Sequence, residues 1–450
     1  MRLLKWLYPG MKIKRWLFLA AGGVMLFGIG SALLPSQAGF VVRLTSLLMV
    51  GAGLFALILA VVETVRSLLD VVSPMPQRDL VDLVFQRRHL EKGPKIVTVG
   101  GGTGLSTLLH GLKAYTSNTT AIVTVADDGG SSGRLREEFG VLPPGDIRNC
   151  LVALADAEPL MQQLFQYRFT QDNALRGHSF GNLFITAMTQ ITGDFERAIQ
   201  ASSRVLAIRG HVTPSTCTKV RLVAEHQDGS VTVGESRISQ AASPIRRVYL
   251  EPANAEATDE ALSAVRDADA IILGPGSLYT SIIPNLLIEG LTQAIVESKA
   301  LKIYVCNVMT QYRETTGFSA SDHVKALVAH TNPGIVQVCI INTKPVPPSL
   351  LEKYREEGAV AVEPDADRIR ELGYQVVAEE VISTENHVRH DADKLAELIT
   401  HLTAGIRRLP AAPPPPPAKP QRRTAATVAT EVPSPRQDRA MSHQTTRRSP

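Results

Sequence analysis

Between residues 95 and 112 the chain reads KIVTVGGGTGLSTLLHGL: a β-branched run, a cluster of glycines, then leucines at helical spacing. Bare backbone at a strand-to-helix junction exposes N–H groups that the first helical turn cannot satisfy itself. Gly100, Gly101, Gly102, Thr103 and Gly104 therefore suit a phosphate or another anion. No Gly-Lys-Ser/Thr follows, which excludes a P-loop, and Leu105 stands where the third glycine of a dinucleotide G-x-G-x-x-G would fall. A purely structural turn needs one glycine and seldom four, so anion binding is the preferred reading.

Further chemistry-bearing residues stand at later junctions. In VTVADDGGSSGRLR, Asp127 and Asp128 fall about where nucleotide-binding folds place an acid after the glycine loop. Adjacent carboxylates at a strand end can hold a ribose hydroxyl, a Mg²⁺ ion or an attacking hydroxyl; the plainer reading is exposed loop acids. Arg134 and Arg136 follow within reach of anionic oxygens. PPGDIRN places Asp146, Arg148 and Asn149 at a helix start, with Asp146 readable as an N-cap. GHSFGNLF puts His178, Ser179 and Asn182 in one turn, where a hydrogen-bonded structural histidine is favoured over an acid or base. Ser179 beside His178 is not read as a hydrolase nucleophile, because adjacency in sequence does not orient a base. GPGSLYTSIIPN, with Gly274, Gly276, Ser277 and Thr280, repeats the logic of a glycine-rich strand end and suggests a second ligand contact across a switch point.

The elements that must position these residues alternate as a doubly wound α/β protein does. KIVTV reads as a buried parallel strand, and Leu105, Leu108, Leu109 and Leu112 as the inner face of the helix after it. Further strands are expected at 121–128, 270–276, 302–308 and 335–342, with helices at EATDEALSAVRDA and SASDHVKALVAH. KVRLVAEHQDGSVTVGES reads as an antiparallel excursion around Asp228-Gly229.

The ends of the chain differ from this middle. Two uncharged stretches, 16–34 and 44–62, are each long enough to cross a bilayer, and the basic residues Arg2, Lys5, Lys12, Lys14 and Arg15 precede the first. They predict a membrane hairpin over 1–70 with both ends in the cytoplasm, followed by a linker over 71–93. From residue 409 a polyproline-containing segment with few large apolar residues predicts a disordered tail to residue 450. The last 40 residues hold seven Lys/Arg against two Asp/Glu, so the net charge of +4 is a property of the tail. The remainder is near neutral and carries no nucleic-acid footprint. Four scattered cysteines indicate neither a disulfide framework nor a zinc site and fit a reducing compartment.

The runs GGGTGLSTLLHGLK, AIVTVADDGGSSGRLR, PPGDIRNCLVALAD, GHSFGNLFITAM, GPGSLYTSIIPNLL, CNVMTQ, SASDHVKAL and VRHDADKLAE, across roughly 94–405, together resemble the gluconeogenesis factor family of the YvcK type. That family is related in fold to the 2-phospho-L-lactate transferases of coenzyme F420 synthesis. The resemblance implies a Rossmann-like, mostly parallel CofD-like domain over 94–408 that binds a nucleotide sugar such as UDP-N-acetylglucosamine or another phosphorylated metabolite. It implies influence on growth with gluconeogenic carbon, on cell shape and on peptidoglycan precursor supply. It further suggests that Asn307 and Arg389 face the ligand, Arg389 at a phosphate, and that Asp128 matches the transferases' Mg²⁺-dependent aspartate. Where the family usually continues with Gly-Glu-Thr-Asp-Gly-Tyr, this chain reads YRETTGF, so Arg313, Thr316 and Phe318 depart from the pattern. Phe318 keeps a ring able to stack on a base and loses a hydroxyl.

Two function classes follow. The favoured one is a nucleotide-sugar-binding regulator at the inner membrane, its main domain in the cytoplasm. Such a regulator is expected to be a homo-oligomer, to have an envelope-synthesis protein as partner, and to need no certain cofactor. The other is a phosphotransferase-like enzyme in which Asp128 and Mg²⁺ activate a hydroxyl.

Overall fold

The computed structural model describes residues 14–34, 39–72, 88–156, 159–171, 174–384 and 387–406. The proline-rich tail and most of the expected linker lie outside the described residues.

Seven parallel strands form the central sheet. Along the chain they are β1 (Ile96–Gly100), β2 (Thr119–Val123), β3 (His211–Pro214), β7 (Ala270–Leu273), β8 (Leu301–Val305), β9 (Val338–Asn342) and β10 (Gln375–Glu379). Their spatial order is β10-β9-β8-β7-β1-β2-β3. Successive residues are apolar because both faces are covered. Val97, Val99, Ile271 and Leu273 enter one core, while Ile96, Ala270 and Ile272 enter the other. The helix Gly102–Leu112 gives Leu105 and Leu109 to the first core and Leu108 and Leu112 to the second, where Leu395 and Ile399 of the C-terminal helix Ala392–Ile406 join them.

The order of the strands decides where a ligand can enter. From β1 the chain runs outward through β2 to β3, and from β7 it runs the other way through β8 to β10, so the direction reverses between β1 and β7. The loops leaving these neighbours must diverge, and a crevice opens at their carboxyl ends. Val99 pairs with Leu273, and the next residue, Gly274, donates its N–H to the Val99 carbonyl at 2.9 Å. Both glycine loops thus emerge side by side.

The antiparallel excursion is a three-stranded sheet. The foreseen hairpin, β4 (Arg221–His226) and β5 (Val231–Val233), gains β6 (Ile245–Glu251) on the far side of β4. Its Leu222, Ala224, Val248 and Leu250 pack into the first core. A two-stranded ribbon, β11 (Ile382–Ser383) and β12 (Arg389–His390), lies before the last helix.

Several boundaries differ from the sequence reading. β2 stops at Val123, so Asp127 and Asp128 stand on the extended segment beyond it. The domain also begins before residue 94: Leu90 is buried, its carbonyl accepts the Ser117 N–H at 3.1 Å, and the Glu91 carbonyl accepts from Asn118. That short segment accepts one main-chain and one side-chain hydrogen bond from the turn before β2, which composition alone does not reveal.

The two apolar N-terminal stretches are helices Lys14–Leu33 and Phe40–Val72, the second longer at both ends than the run 44–62. Arg15–Leu33 and Phe40–Ser67 are long and apolar enough to cross a membrane. They pack as a hairpin through glycines. A Cβ on Gly23 would lie 2.9 Å from the Gly53 carbonyl oxygen, and one on Gly53 would lie 2.6 Å from the Phe27 nitrogen. Small residues permit such a close approach of two helices.

Candidate functional site

The loop after β1 is shaped by contact as much as by backbone freedom. Gly101 is the extended N-cap of the helix Gly102–Leu112 and supplies no side-chain cap. A Cβ at Gly101 would meet Thr124 Cγ2 at 2.7 Å, and one at Gly104 would meet the Pro275 carbonyl oxygen at 2.6 Å. The first loop therefore rests on the second through main chain. Asn285 ties them further, donating from Nδ2 to the Ser281 carbonyl at 2.7 Å and to the Gly100 carbonyl at 3.1 Å. In the second loop the Gly276 N–H donates to Asn307 Oδ1 at 3.3 Å, and Ser277 Oγ accepts from Gln311 Nε2.

Above these loops lies a cavity of about 680 Å³, within the usual range for a small-molecule site. One side is the main chain of Gly101–Gly104 and Gly276. The rest carries a surplus of acid: Asp127, Asp146, Glu235 and Glu314 line it, against Arg389 from β12. Burial, then the charge of Asp127, raises the Asp146 carboxyl to about 6, while the Gly102 N–H and Arg148 pull it down. Burial raises Glu314 to about 7. Glu235 is pushed to about 8 by burial and then by Asp127, Glu314, Asp128 and Asp146. Asp127 is also raised by burial, against hydrogen bonds from Gly129 N–H and Ser132. Between pH 6 and 8 this wall exchanges protons, and it presents both acceptors and carboxylic acid donors.

A second polar cluster sits behind the acids. His178 Nδ1 is 3.0 Å from Ser131 Oγ, which also accepts from Asn182 Nδ2 at 3.0 Å. Arg148 donates to Asn182 Oδ1 at 2.9 Å, to Asn149 Oδ1 at 2.7 Å and to Ser179 Oγ. Ser179 caps the helix Phe180–Thr192 by accepting the Asn182 N–H. The histidine is buried, and burial and then Arg134 lower its pKa. It is a satisfied member of a network joining three helix starts.

Of the residues singled out in the sequence, Gly101, Gly102, Thr103, Gly104, Asp127, Asp146, Gly276, Ser277, Thr280, Asn307 and Arg389 share the cavity. Gly100 and Gly274 lie beneath it at the strand ends. Asn149, His178, Ser179 and Asn182 belong to the network behind it. Three expectations need correction. Asp146 is not an N-cap: Pro144 holds that position, and the Asp146 carboxylate instead accepts the Gly102 N–H at the start of another helix. Asp128 does not line the cavity, since its Oδ1 accepts the Ser236 N–H at 2.8 Å and anchors the start of the short helix Glu235–Ile238. Phe318 packs edge-on against Tyr279 and His323, with centroids 6.3 and 5.5 Å away. The aromatic residues on the cavity are instead Tyr312 and Tyr354. Sequence reasoning also missed Glu235, Gln311 and Glu314. Glu314 stood inside YRETTGF, where it is the charged residue flanked by the departures; Glu235 had no signal beyond its place after a hairpin.

The model of the family described as 2-phospho-L-lactate transferase CofD matches residues 96–382. A relative from Bacillus subtilis named gluconeogenesis factor is 48% identical over 310 residues, covering 69% of this chain and 98% of that protein. The chain belongs to the gluconeogenesis factor family, with a CofD-like domain. A relative from Nostoc sp. is 47% identical over 416 residues, covering 88% of this chain and 91% of its own, so its match extends beyond the α/β domain. The crystal structure of a UPF0052 family protein from Bacillus halodurans is 48% identical, with a TM-score of 0.67, over 68% of this chain and 99% of that chain. The span of the family model runs from β1 through β10 and so takes in the whole central sheet.

Proposed function

We propose that this protein binds a nucleotide sugar of the UDP-N-acetylglucosamine class in the switch-point cavity. It acts as a regulator at the inner face of the membrane, linking carbon use to cell shape and peptidoglycan precursor supply. The observation that carries the reading is the pairing of two glycine loops on one cavity, with helix N-terminal main chain and Arg389 available to a diphosphate. The apolar hairpin supports a tether, with the α/β domain on the cytoplasmic side. Self-association and a contact with an envelope-synthesis protein complete this reading as its output.

The full chain in detergent should bind UDP-N-acetylglucosamine in calorimetry without metal and without turnover, and the intact chain should pellet with membranes. Absence of heat with this ligand, under conditions where the protein is folded, would overturn the reading.

The second reading is a Mg²⁺-dependent transferase, favoured by the carboxylates on the cavity and by the transferase family model. Among the described residues no three His, Cys, Asp or Glu side chains are grouped to hold a metal ion. Mg²⁺ commonly takes only one or two carboxylates together with phosphate oxygens. Asp127 and Asp146, beside the glycine loop, fit that role better than Asp128. The ion would supply charge neutralisation at the phosphate, and Asp127 or Asp146 would orient it. Mg²⁺-dependent product formation from an F420 precursor would favour this reading over the first.

A further inference from the structure

The cavity wall formed by Gln311, Glu314 and Glu235 has no use for a phosphate. Glu314 is only 6% exposed, and its Oε2 is buried without a hydrogen-bond partner. Gln311 Oε1 is likewise buried and unpartnered, while its Nε2 is committed to Ser277. An unpaired buried acceptor destabilises the fold, so two on one cavity wall mark a place where ligand donors complete the protein. A phosphate brings only acceptors and negative charge. It is repelled by Glu314 and Glu235 when those groups are ionised. Sugar hydroxyls bring donors, and a ring with neighbouring hydroxyls can satisfy two acceptors together.

Resting on the nucleotide-sugar reading, we propose that Gln311 and Glu314 form a sugar-hydroxyl subsite. They fix the ligand's direction: phosphates on the glycine loops, a hydroxylated ring on this wall. Gln311 joins the two halves, because the side chain that offers Oε1 to the sugar is held by the serine of the second glycine loop. A subsite built on donor-starved acceptors rejects analogues lacking the hydroxyl far more strongly than an apolar pocket can.

The ring could be the ribose or the second sugar, and the test separates them. Calorimetry would compare the full-length wild type with Glu314→Gln and Gln311→Ala, using UDP-N-acetylglucosamine, UDP and 2′,3′-dideoxyuridine diphosphate. Each variant's melting temperature would check its folding, and Glu314→Gln preserves the side-chain shape should the alanine variant fail to fold. A loss of about 10- to 100-fold for UDP-N-acetylglucosamine with UDP unchanged places the second sugar on the wall. The same loss for UDP and UDP-N-acetylglucosamine, but not for the dideoxy compound, places the ribose there. Equal losses for all three, or no loss for any, overturn the subsite while leaving nucleotide binding intact. If the folded wild type binds none of the three, the functional reading falls and takes the subsite with it.

Discussion

Gly104 and Pro275 approach so closely that a Cβ built on the glycine would lie 2.6 Å from the proline's carbonyl oxygen. This contact between residues 171 positions apart in the chain sets the spacing of the two loops that floor the cavity.

Gly104→Ala should therefore separate the loops. The obstructing atom belongs to backbone, so relief requires a loop to move, at a cost of about 1–3 kcal/mol. Thermal unfolding should detect that loss, and calorimetry a fall in nucleotide affinity of tenfold or more. Gly100→Ala is the matching control. Its nearest neighbours are Leu105 side-chain atoms at 3.8 Å, an ordinary contact, so stability and affinity should barely change. Equal damage from both substitutions would show that the loop demands glycine for its dihedrals and not for the approach to Pro275.

That distinction shows how far the sequence could be read. The strand, the glycine cluster and the helix after it are local, and hydrophobic periodicity with turn chemistry reveals them. The likeness of the segments near 100 and 274 also pointed to a shared site, because parallel strands with diverging connections bring their carboxyl ends together. What stayed hidden depends on pairs distant in sequence. Asp146 looks like a cap for its own helix, and only the packing of that helix against the helix Gly102–Leu112 turns its carboxylate to Gly102. Asp128 looks equivalent to Asp127 until the antiparallel sheet delivers the Ser236 N–H to it. Glu235 and Glu314 come from separate excursions, and neither announces the other.

The acids on the cavity predict a proton-linked site. An acid whose folded pKa exceeds its unfolded value holds its proton more tightly when folded, so its contribution to stability declines as pH rises. With Asp146 at about 6, Glu314 at about 7 and Glu235 at about 8, the decline should run from about pH 4 to pH 8. Coupling among the three groups keeps the total below the sum of their separate shifts, and it should still amount to several kcal/mol. Glu235→Gln should flatten the upper part of that curve in denaturant titrations. A diphosphate repels the ionised forms, so its affinity should fall between pH 6 and 8, with net proton uptake on binding. Calorimetry in buffers of different ionisation enthalpy measures that uptake; a value of zero at pH 7 would contradict the arrangement.

The network behind the acids should behave as a scaffold. In Asn182→Ala, Arg148 loses its Oδ1 acceptor and Ser131 loses a donor, leaving buried polar atoms unpaired at a cost of about 1–3 kcal/mol. The loss should appear as a lower melting temperature, and affinity should follow only as far as the fold is weakened. His178→Gln can retain a hydrogen bond to Ser131 and should recover most of the stability lost in His178→Ala. If instead His178→Gln abolished ligand binding in a fully stable protein, the histidine would have to reach the ligand.

The hairpin offers a test that leaves the cavity untouched. Gly53 faces Phe27 and Gly23 at main-chain distance: its Cβ would lie 2.6 Å from the Phe27 nitrogen and 2.7 Å from the Gly23 carbonyl oxygen. A valine there cannot be absorbed by a rotamer change, because both obstructing atoms are backbone. In lipid there is little hydrophobic drive to hold the helices together once close packing is lost. Gly53→Val should thus part the helices while leaving each apolar enough to stay in the bilayer. Interface glycines cannot carry the probe, because a Cβ on Gly30 would itself meet the Ser46 carbonyl oxygen at 2.9 Å; cysteines at positions 17 and 62, exposed on the two helices of an otherwise cysteine-free chain and joined by a bifunctional reagent, avoid that clash. Crosslinking between those positions in membranes should drop severalfold in Gly53→Val, with membrane pelleting and UDP-N-acetylglucosamine affinity unchanged. Unchanged crosslinking would mean that the helices stay together without the close packing at Gly53. A loss of nucleotide affinity would mean that the hairpin acts on the α/β domain and is more than its tether.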